Sequence, residues 1–241
     1  MALCEYIAEF MDTVPEKVGV FMIHLRRAQE RRPIIQHLEA SVRTSLEIYD
    51  AVEGKYLVEH GHPTRCGIDE GVIRTTGEVG CMASHINVMV ESLKRGYTHA
   101  IIFEDDCSVS PGFTLESLKD YVSAARRFAA DFQMEQAKEL FLLSTCGCYS
   151  QRPLTTGVKA TQHFNGCHAY VISAKLMRAT IAFYLDLLKK GMTAPIDGVL
   201  PILLRRDKLW AMCPEEDTAF FRQNRDISSY IVSDGTERRQ G

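Results

Sequence analysis

The sequence has no apolar run near the ~20 residues that a membrane-spanning helix needs. Its first ten residues hold Glu5 and Glu9 and no basic cluster, so they do not read as a secretory leader. Both absences leave open a peripheral membrane contact. Charge of one sign is missing too. The 28 Lys and Arg against 31 Asp and Glu leave a net −3, which supplies no basic field for nucleic acid. Paired cysteine motifs are lacking: of 8 cysteines only Cys146 and Cys148 are close, with no second pair at zinc-finger spacing. They read as reduced, mostly buried thiols of a cytosolic protein. No Gly-x-Gly-x-x-Gly follows the first strand-like run and no Gly-x-x-x-x-Gly-Lys-Ser/Thr occurs, which takes most of the weight from dinucleotide and P-loop readings. Repeats and linkers are absent as well. The chain reads as one domain over 1–241, with 1–16 an amphipathic lead-in and 222–241 a polar tail.

What is present is a stretch in which Ala100-Ile101-Ile102-Phe103 runs straight into Glu104, Asp105 and Asp106. An apolar run of that length reads as a buried strand. Three adjacent carboxylates repel one another unless something positive sits among them. Oxygen ligands suit hard cations such as Mg²⁺ or Mn²⁺, and open α/β sheets bind ligands beyond the C-terminal ends of their strands. The stretch is either a metal site at a sheet edge or a solvated acidic turn leading into Ser108-Val109-Ser110-Pro111-Gly112.

Strand-like and helix-like segments alternate over the first 145 residues, which favours an α/β fold with a mostly parallel sheet covered on both faces. Val18–Ile23 reads as the first strand, followed by Ile34, Ile35, Leu38 and Val42 at helix spacing and a second strand at Leu46–Tyr49. Residues 55–75 read as a loop. Thr75 and Glu78 fit a capping box for a helix that runs to about Arg95, with Gly96 as its C-cap. Beyond the acids come a helix over 114–136, a strand at Leu140–Leu143 and a turn-rich stretch at 145–158. Strand-like runs at 159–164 and 167–172 precede a helix ended by Gly191, a short helix from Pro195 and a last strand over Lys208–Met212.

Each candidate residue has a plain alternative. Four arginines and His24 lie just past the first strand; guanidinium forks suit phosphate or carboxylate, yet at least two of the four read as a solvated helix start. Arg26 and Arg27, nearest the strand end, are the better ligands. By 100° steps His85 falls on the flank of the apolar face of its helix and Ser84 opposite it. Either histidine, His85 or His168, suits a metal or diphosphate site or a simple buried hydrogen bond. Asp197 opens a helix, where Asp is a favoured N-cap; as a general base it would take a proton from an attacking hydroxyl.

In order along the chain, these blocks resemble glycosyltransferase family 25, the group with lipooligosaccharide galactosyltransferases and collagen hydroxylysine galactosyltransferase domains. Val20–Arg27 with Arg31-Arg32 resembles its opening Val-Ile-Asn-Leu block and Arg-Arg, and Ala51-Val52-Glu53-Gly54 its Ala-Val-Asp-Gly block. Gly77–His85 is very similar to Gly-Glu-Ile-Gly-Cys-x-x-Ser-His, Phe103–Asp106 to Leu-Glu-Asp-Asp, and His168–Ser173 to His-Ala-Tyr-x-Ile-Ser. Pro195-Ile196-Asp197 and Leu200-Pro201 resemble the Pro-Val-Asp-x-x-Leu-Pro run of collagen-type members, and Gln223-Asn224 its polar close. His24 stands where Asn is usual and Glu53 where Asp is usual, both at positions of expected nucleotide contact.

The resemblance implies a GT-A type of fold, a UDP-sugar donor (most often UDP-galactose), Mn²⁺ or Mg²⁺, and inversion at the anomeric carbon. On it, Glu104 and Asp106 become metal ligands and Asp197 the catalytic base. Donor contacts fall to His24, Leu25, Arg26, Arg27, Ala51, Glu53, Ser84, His85, Glu104, Asp105 and His168. The acceptor, whether glycan, glycolipid or protein, is not readable. Nor is the oligomeric state. The missing leader points to a cytoplasmic enzyme of bacterial or viral origin. Two other readings stay open: a metal-dependent phosphohydrolase using the same acids, and a catalytically silent sugar- or protein-binding module on the same fold.

Overall fold

In the computed structural model, the described residues are 1–131, 138–149, 151–155, 157–216 and 219–224. Helices α1 (Leu3–Phe10), α2 (Arg32–Val42), α3 (Gly54–Glu59) and α4 (Thr76–Lys94) interleave with strands β1 (Val18–His24), β2 (Glu47–Asp50) and β3 (His99–Glu104). Then follow β4 (Cys107–Val109), α5 (Leu115–Asp131), β5 (Leu140–Ser144), β6 (Gly147–Cys148), β7 (Gln151–Thr155) and β8 (Val158–Thr161). The chain continues through β9 (Phe164–Asn165), β10 (Ala169–Ser173), α6 (Ala174–Lys189), α7 (Ile196–Arg206), β11 (Ala211–Pro214) and β12 (Phe221–Gln223).

Eight strands form one sheet in the order β2-β1-β3-β10-β5-β11-β8-β7. β1 is parallel to both β2 and β3, and β11 is parallel to β5. β10 and β8 run against their neighbours, so the other strands all share one direction. Side chains alternate across each strand, and two cores result. Met22, Ile101, Phe103 and Phe141 pack on one face with α1, α2 and α5; Phe21, Ile102, Leu142 and Tyr170 pack on the other with α4, α6 and α7.

The α/β architecture is the one expected, with local differences. The lead-in is core: Leu3, Ile7 and Phe10 of α1 are fully buried, and the Phe10 ring lies 4.7 Å from that of Phe141. The expected loop after residue 54 begins with α3, and the turn-rich stretch holds β6 and β7. The last strand starts at Ala211 because Lys208 takes a left-handed φ of 54°. The tail opens with β12, paired to β4. The end of the 114–136 helix, Asp217 and residues 225–241 lie outside the described residues. Thr75 and Glu78 close their capping box reciprocally, at 3.2 and 2.8 Å, and Gly96 supplies the left-handed φ that ends α4.

Candidate active site

The acids sit where β3 leaves the sheet. By alternation Glu104 follows Ala100 and Ile102 onto the α4 side. There its Oε1 meets His85 Nε2 at 3.0 Å and the Cys81 thiol at 3.7 Å, both from α4. Its Oε2 lies 3.4 Å from His168 Nδ1, at the start of β10. Burial opposes the charge of Glu104, but the two imidazoles hold its carboxyl well below the usual range. Burial also opposes the charge of His168; its bonds to Cys146 (Nε2 to Sγ, 3.0 Å) and Glu104 nonetheless push it up to about 11.

Asp105 turns the other way. One oxygen accepts from His24 Nδ1 at 2.8 Å and the Leu25 N–H at 3.2 Å; the other pairs with buried Arg31. Asp106 is just as buried and differently served. Its Oδ2 accepts from Gln223 Nε2 at 3.0 Å, while its Oδ1 is buried without a partner. Burial and the charge of Glu104 raise its pKa.

Two cavities meet at these acids. One, of about 420 Å³, lies beside the end of β1, between the 51–55 turn and the N-terminal half of α4. The other, of about 550 Å³, lies beside the N-terminus of α7 and reaches Cys146, Gly166, His168, Asp197 and Gln223. Cys81 and Glu104 line both. The wall of the first is a backbone contact: a Cβ on Gly54 would sit 1.8 Å from the Thr76 carbonyl, and one on Gly80 2.5 Å from that of Val52. Ser84 Oγ fastens this wall by accepting from the Val52 N–H at 2.8 Å and donating to the Gly80 carbonyl at 2.7 Å.

Leu25, Arg27, Ala51, Glu53, Ser84 and His85 all line the first cavity, as do the three acids. Two expected donor residues lie outside both cavities. His24 lines neither cavity; its ring is buried beneath, bound to Asp105. Arg26 lines neither, because its exposed side chain turns out to Asp50. Arg31 is the arginine that reaches the acids, and Arg27 pairs with Glu53 at 2.8 Å. Ser84 is not on a solvent-facing side of α4. Both Ser84 and His85 are fully buried, since α3 packs on one side of the helix and β1 and β3 on another, and His85 Nδ1 meets Tyr170 Oη at 2.7 Å. Asp197 does not cap α7. Pro195 is the N-cap residue, and Asp197 Oδ2 instead accepts the Gly166 N–H at 3.0 Å. Pro201 lies inside α7, which denies the Asp197 carbonyl its helical partner. Gly166 has φ 74°, and a Cβ there would meet Cys146 Sγ at 2.9 Å and His168 Nε2 at 3.0 Å.

A carboxylate and imidazole donor set fits a divalent cation. Glu104, Asp106 and His168 present ligand atoms within 4.8 Å of one another, and the unpartnered Asp106 Oδ1 is among the buried atoms there. Mn²⁺ accepts this mixture of oxygen and imidazole nitrogen.

Fold and site together define an α/β protein that gathers acids and imidazoles at one edge of its sheet, between two clefts. A family model described as "Glycosyltransferase family 25 (LPS biosynthesis protein)" matches residues 18–197. The chain belongs to glycosyltransferase family 25. A Bos taurus relative named "Probable inactive glycosyltransferase 25 family member 3" is 32% identical over 126 residues, 46% of this chain and 21% of that protein. Xenopus laevis "Procollagen galactosyltransferase 1-A" is 32% identical over 110 residues, 39% of this chain and 18% of that one. The matches thus span about a fifth of the length of these relatives. Among solved structures, apo UDP-glucose pyrophosphorylase superposes with a TM-score of 0.37 at 10% identity, over 87% of this chain and 77% of that one. No helix among the described residues is long and apolar enough to cross a membrane.

Proposed function

We propose that this chain is an inverting, metal-dependent glycosyltransferase that moves a hexose, galactose foremost, from a UDP-sugar to a hydroxyl of a glycan, glycolipid or protein. The observation that carries this reading is the placement of Glu104, Asp106 and His168 at the junction of two cavities, with Asp197 on the second. Glu104, Asp106 and His168 would hold Mn²⁺ or Mg²⁺, which when bound supplies Lewis-acid stabilisation of the departing diphosphate.

The chain's own groups have separable tasks. Arg27 offers a cation to a nucleotide in the first cavity, which the turn leading into α3 walls. Ser84 holds that turn in place. Asp105, locked by His24 and Arg31, fixes the chain direction from which Glu104 and Asp106 project. His85 orients Glu104. Asp197, held by the Gly166 N–H, keeps its second oxygen for the proton of an acceptor hydroxyl entering the second cavity. The family resemblance implies inversion, which a single in-line displacement by the acceptor hydroxyl would give.

The test is a screen of UDP-hexoses with purified protein in Mn²⁺, in EDTA, and after Mn²⁺ is restored. Release of UDP that EDTA stops and Mn²⁺ recovers is expected, with Asp197→Asn lowering transfer by about 10²-fold or more. The relatives named as inactive favour a second reading, a silent sugar-binding module. Sugar binding in EDTA with no UDP release from any donor would establish that module instead. Release of inorganic phosphate without sugar transfer would mark a phosphohydrolase.

A further inference from the structure

Glu104 belongs to two clusters. The first, with Asp106 and His168, is the hard-cation site argued above. The second contains Cys81, His85 and Glu104, whose ligand atoms also lie within 4.8 Å of one another. Cys81 and His85 are four residues apart on α4, so both point from one helical face, as paired helix ligands do in metalloenzymes. Tetrahedral zinc binds sulfur at about 2.3 Å and nitrogen or oxygen at about 2.0 Å, which sets ligand atoms roughly 3.3–3.5 Å apart. Here Glu104 Oε1 is 3.7 Å from Cys81 Sγ and 3.0 Å from His85 Nε2.

The outer partner is also in place. Tyr170 Oη sits 2.7 Å from His85 Nδ1 and can donate or accept. Accepting the Nδ1 proton frees Nε2 for a metal and fixes the ring, the usual arrangement around a ligating imidazole. Cys81 lines both cavities, so an ion has an entry path. A thiol, an imidazole and one carboxylate make a borderline-soft set suited to Zn²⁺, with a fourth position for water, whereas Mn²⁺ and Mg²⁺ prefer the oxygen-rich set next door.

We propose that Cys81, His85 and Glu104 form a second metal site, for a thiophilic divalent cation such as Zn²⁺, which competes with the hard-cation site for Glu104. Binding forms one metal–sulfur bond and releases the Cys81 proton to solvent. Its consequence for turnover rests on the proposed function; the binding itself does not.

The test uses the metal-free full chain titrated with Co²⁺ as a spectroscopic stand-in for Zn²⁺. A thiolate-to-cobalt charge-transfer band with tetrahedral ligand-field bands is expected. Cys81→Ser should abolish the charge-transfer band and weaken Zn²⁺ by at least about 10-fold, and Cys146→Ser should leave both unchanged. No thiolate band, or a band that survives Cys81→Ser and vanishes in Cys146→Ser, would overturn the site. A band without UDP release under any metal would uphold the site and remove the proposed function.

Discussion

Asp105 and Asp106 are neighbours of identical chemistry and equal burial, each 6% exposed, yet they differ in what surrounds them. Asp105 is saturated: a guanidinium, an imidazole and a backbone N–H share its two oxygens. Asp106 keeps one oxygen unpartnered, and burial and the charge of Glu104 outweigh the pull of His168 and Arg31 on it. A buried carboxylate with all its donors belongs to the framework. One left short of donors is costly unless a ligand completes it. The first aspartate therefore belongs to the framework, and the second is the one the proposed cation would complete.

The strongest way to break this comparison is Asp106→Asn. If the second aspartate serves a cation that stabilises several kcal/mol of developing charge, turnover should fall by about 10³-fold or more in a UDP-release assay. The protein should stay folded. A mild loss, or loss through unfolding, would make Asp106 another framework residue.

Asp105→Asn should do the reverse. It removes one charge of the buried Arg31–Asp105 pair, at a cost of about 3–5 kcal/mol. For a chain of this size that lowers Tm by roughly 10 °C. An unchanged Tm would mean that the Arg31 contact is not structural.

A smaller effect sharpens the contrast through pH. The Asp106 pKa is raised above its ordinary 3.8 by burial and by Glu104. Its folded form therefore holds a proton that the unfolded chain releases more readily. Stability drops as pH rises from the ordinary value through the raised one, and the cost is complete above it. Glu104 has the opposite sign, adding stability above its ordinary 4.5 that is lost as pH falls. In metal-free protein, Asp106→Asn should consequently melt a few degrees above the parent at neutral pH. The gap should close near pH 3, as differential scanning calorimetry would show. A gap that widens in acid would put the wrong sign on Asp106.

Much of the frame was legible beforehand because it is local. The apolar run before Glu104, the Thr75–Glu78 capping box and the Gly96 stop are read from adjacent residues. So was the grouping of Glu104, Asp106, His85, His168 and Asp197 into one neighbourhood, though only through the family's ordered blocks. What escaped reading depends on distant pairing. Arg31 reaches Asp105 across 74 positions, and His24 does so across 81. Nothing in the composition distinguishes Arg31 from its neighbours. Helix α1 reads as peripheral from sequence because the surface it covers, α5 and Phe141, lies far along the chain. Asp197 reads as either a cap or a base, and the choice turns on its donor, the Gly166 N–H, which sits in another turn.

The smallest predicted effect separates the two arginines that follow β1. Arg26 and Asp50 form a pair whose side chains are 80% and 55% exposed, outside both cavities. Such solvated pairs contribute little, so Arg26→Ala should barely move Tm and leave the donor KM unchanged. Arg27 lines the first cavity and meets Glu53 at its rim. Arg27→Ala should change Tm equally little but raise the donor KM, because a phosphate there loses a charge-assisted partner. The two variants have matched stability cost and differ only in which side of the β1 end they face. Equal KM values would show that the nucleotide does not use this wall, and an effect confined to Arg26 would move the donor outward, over Asp50.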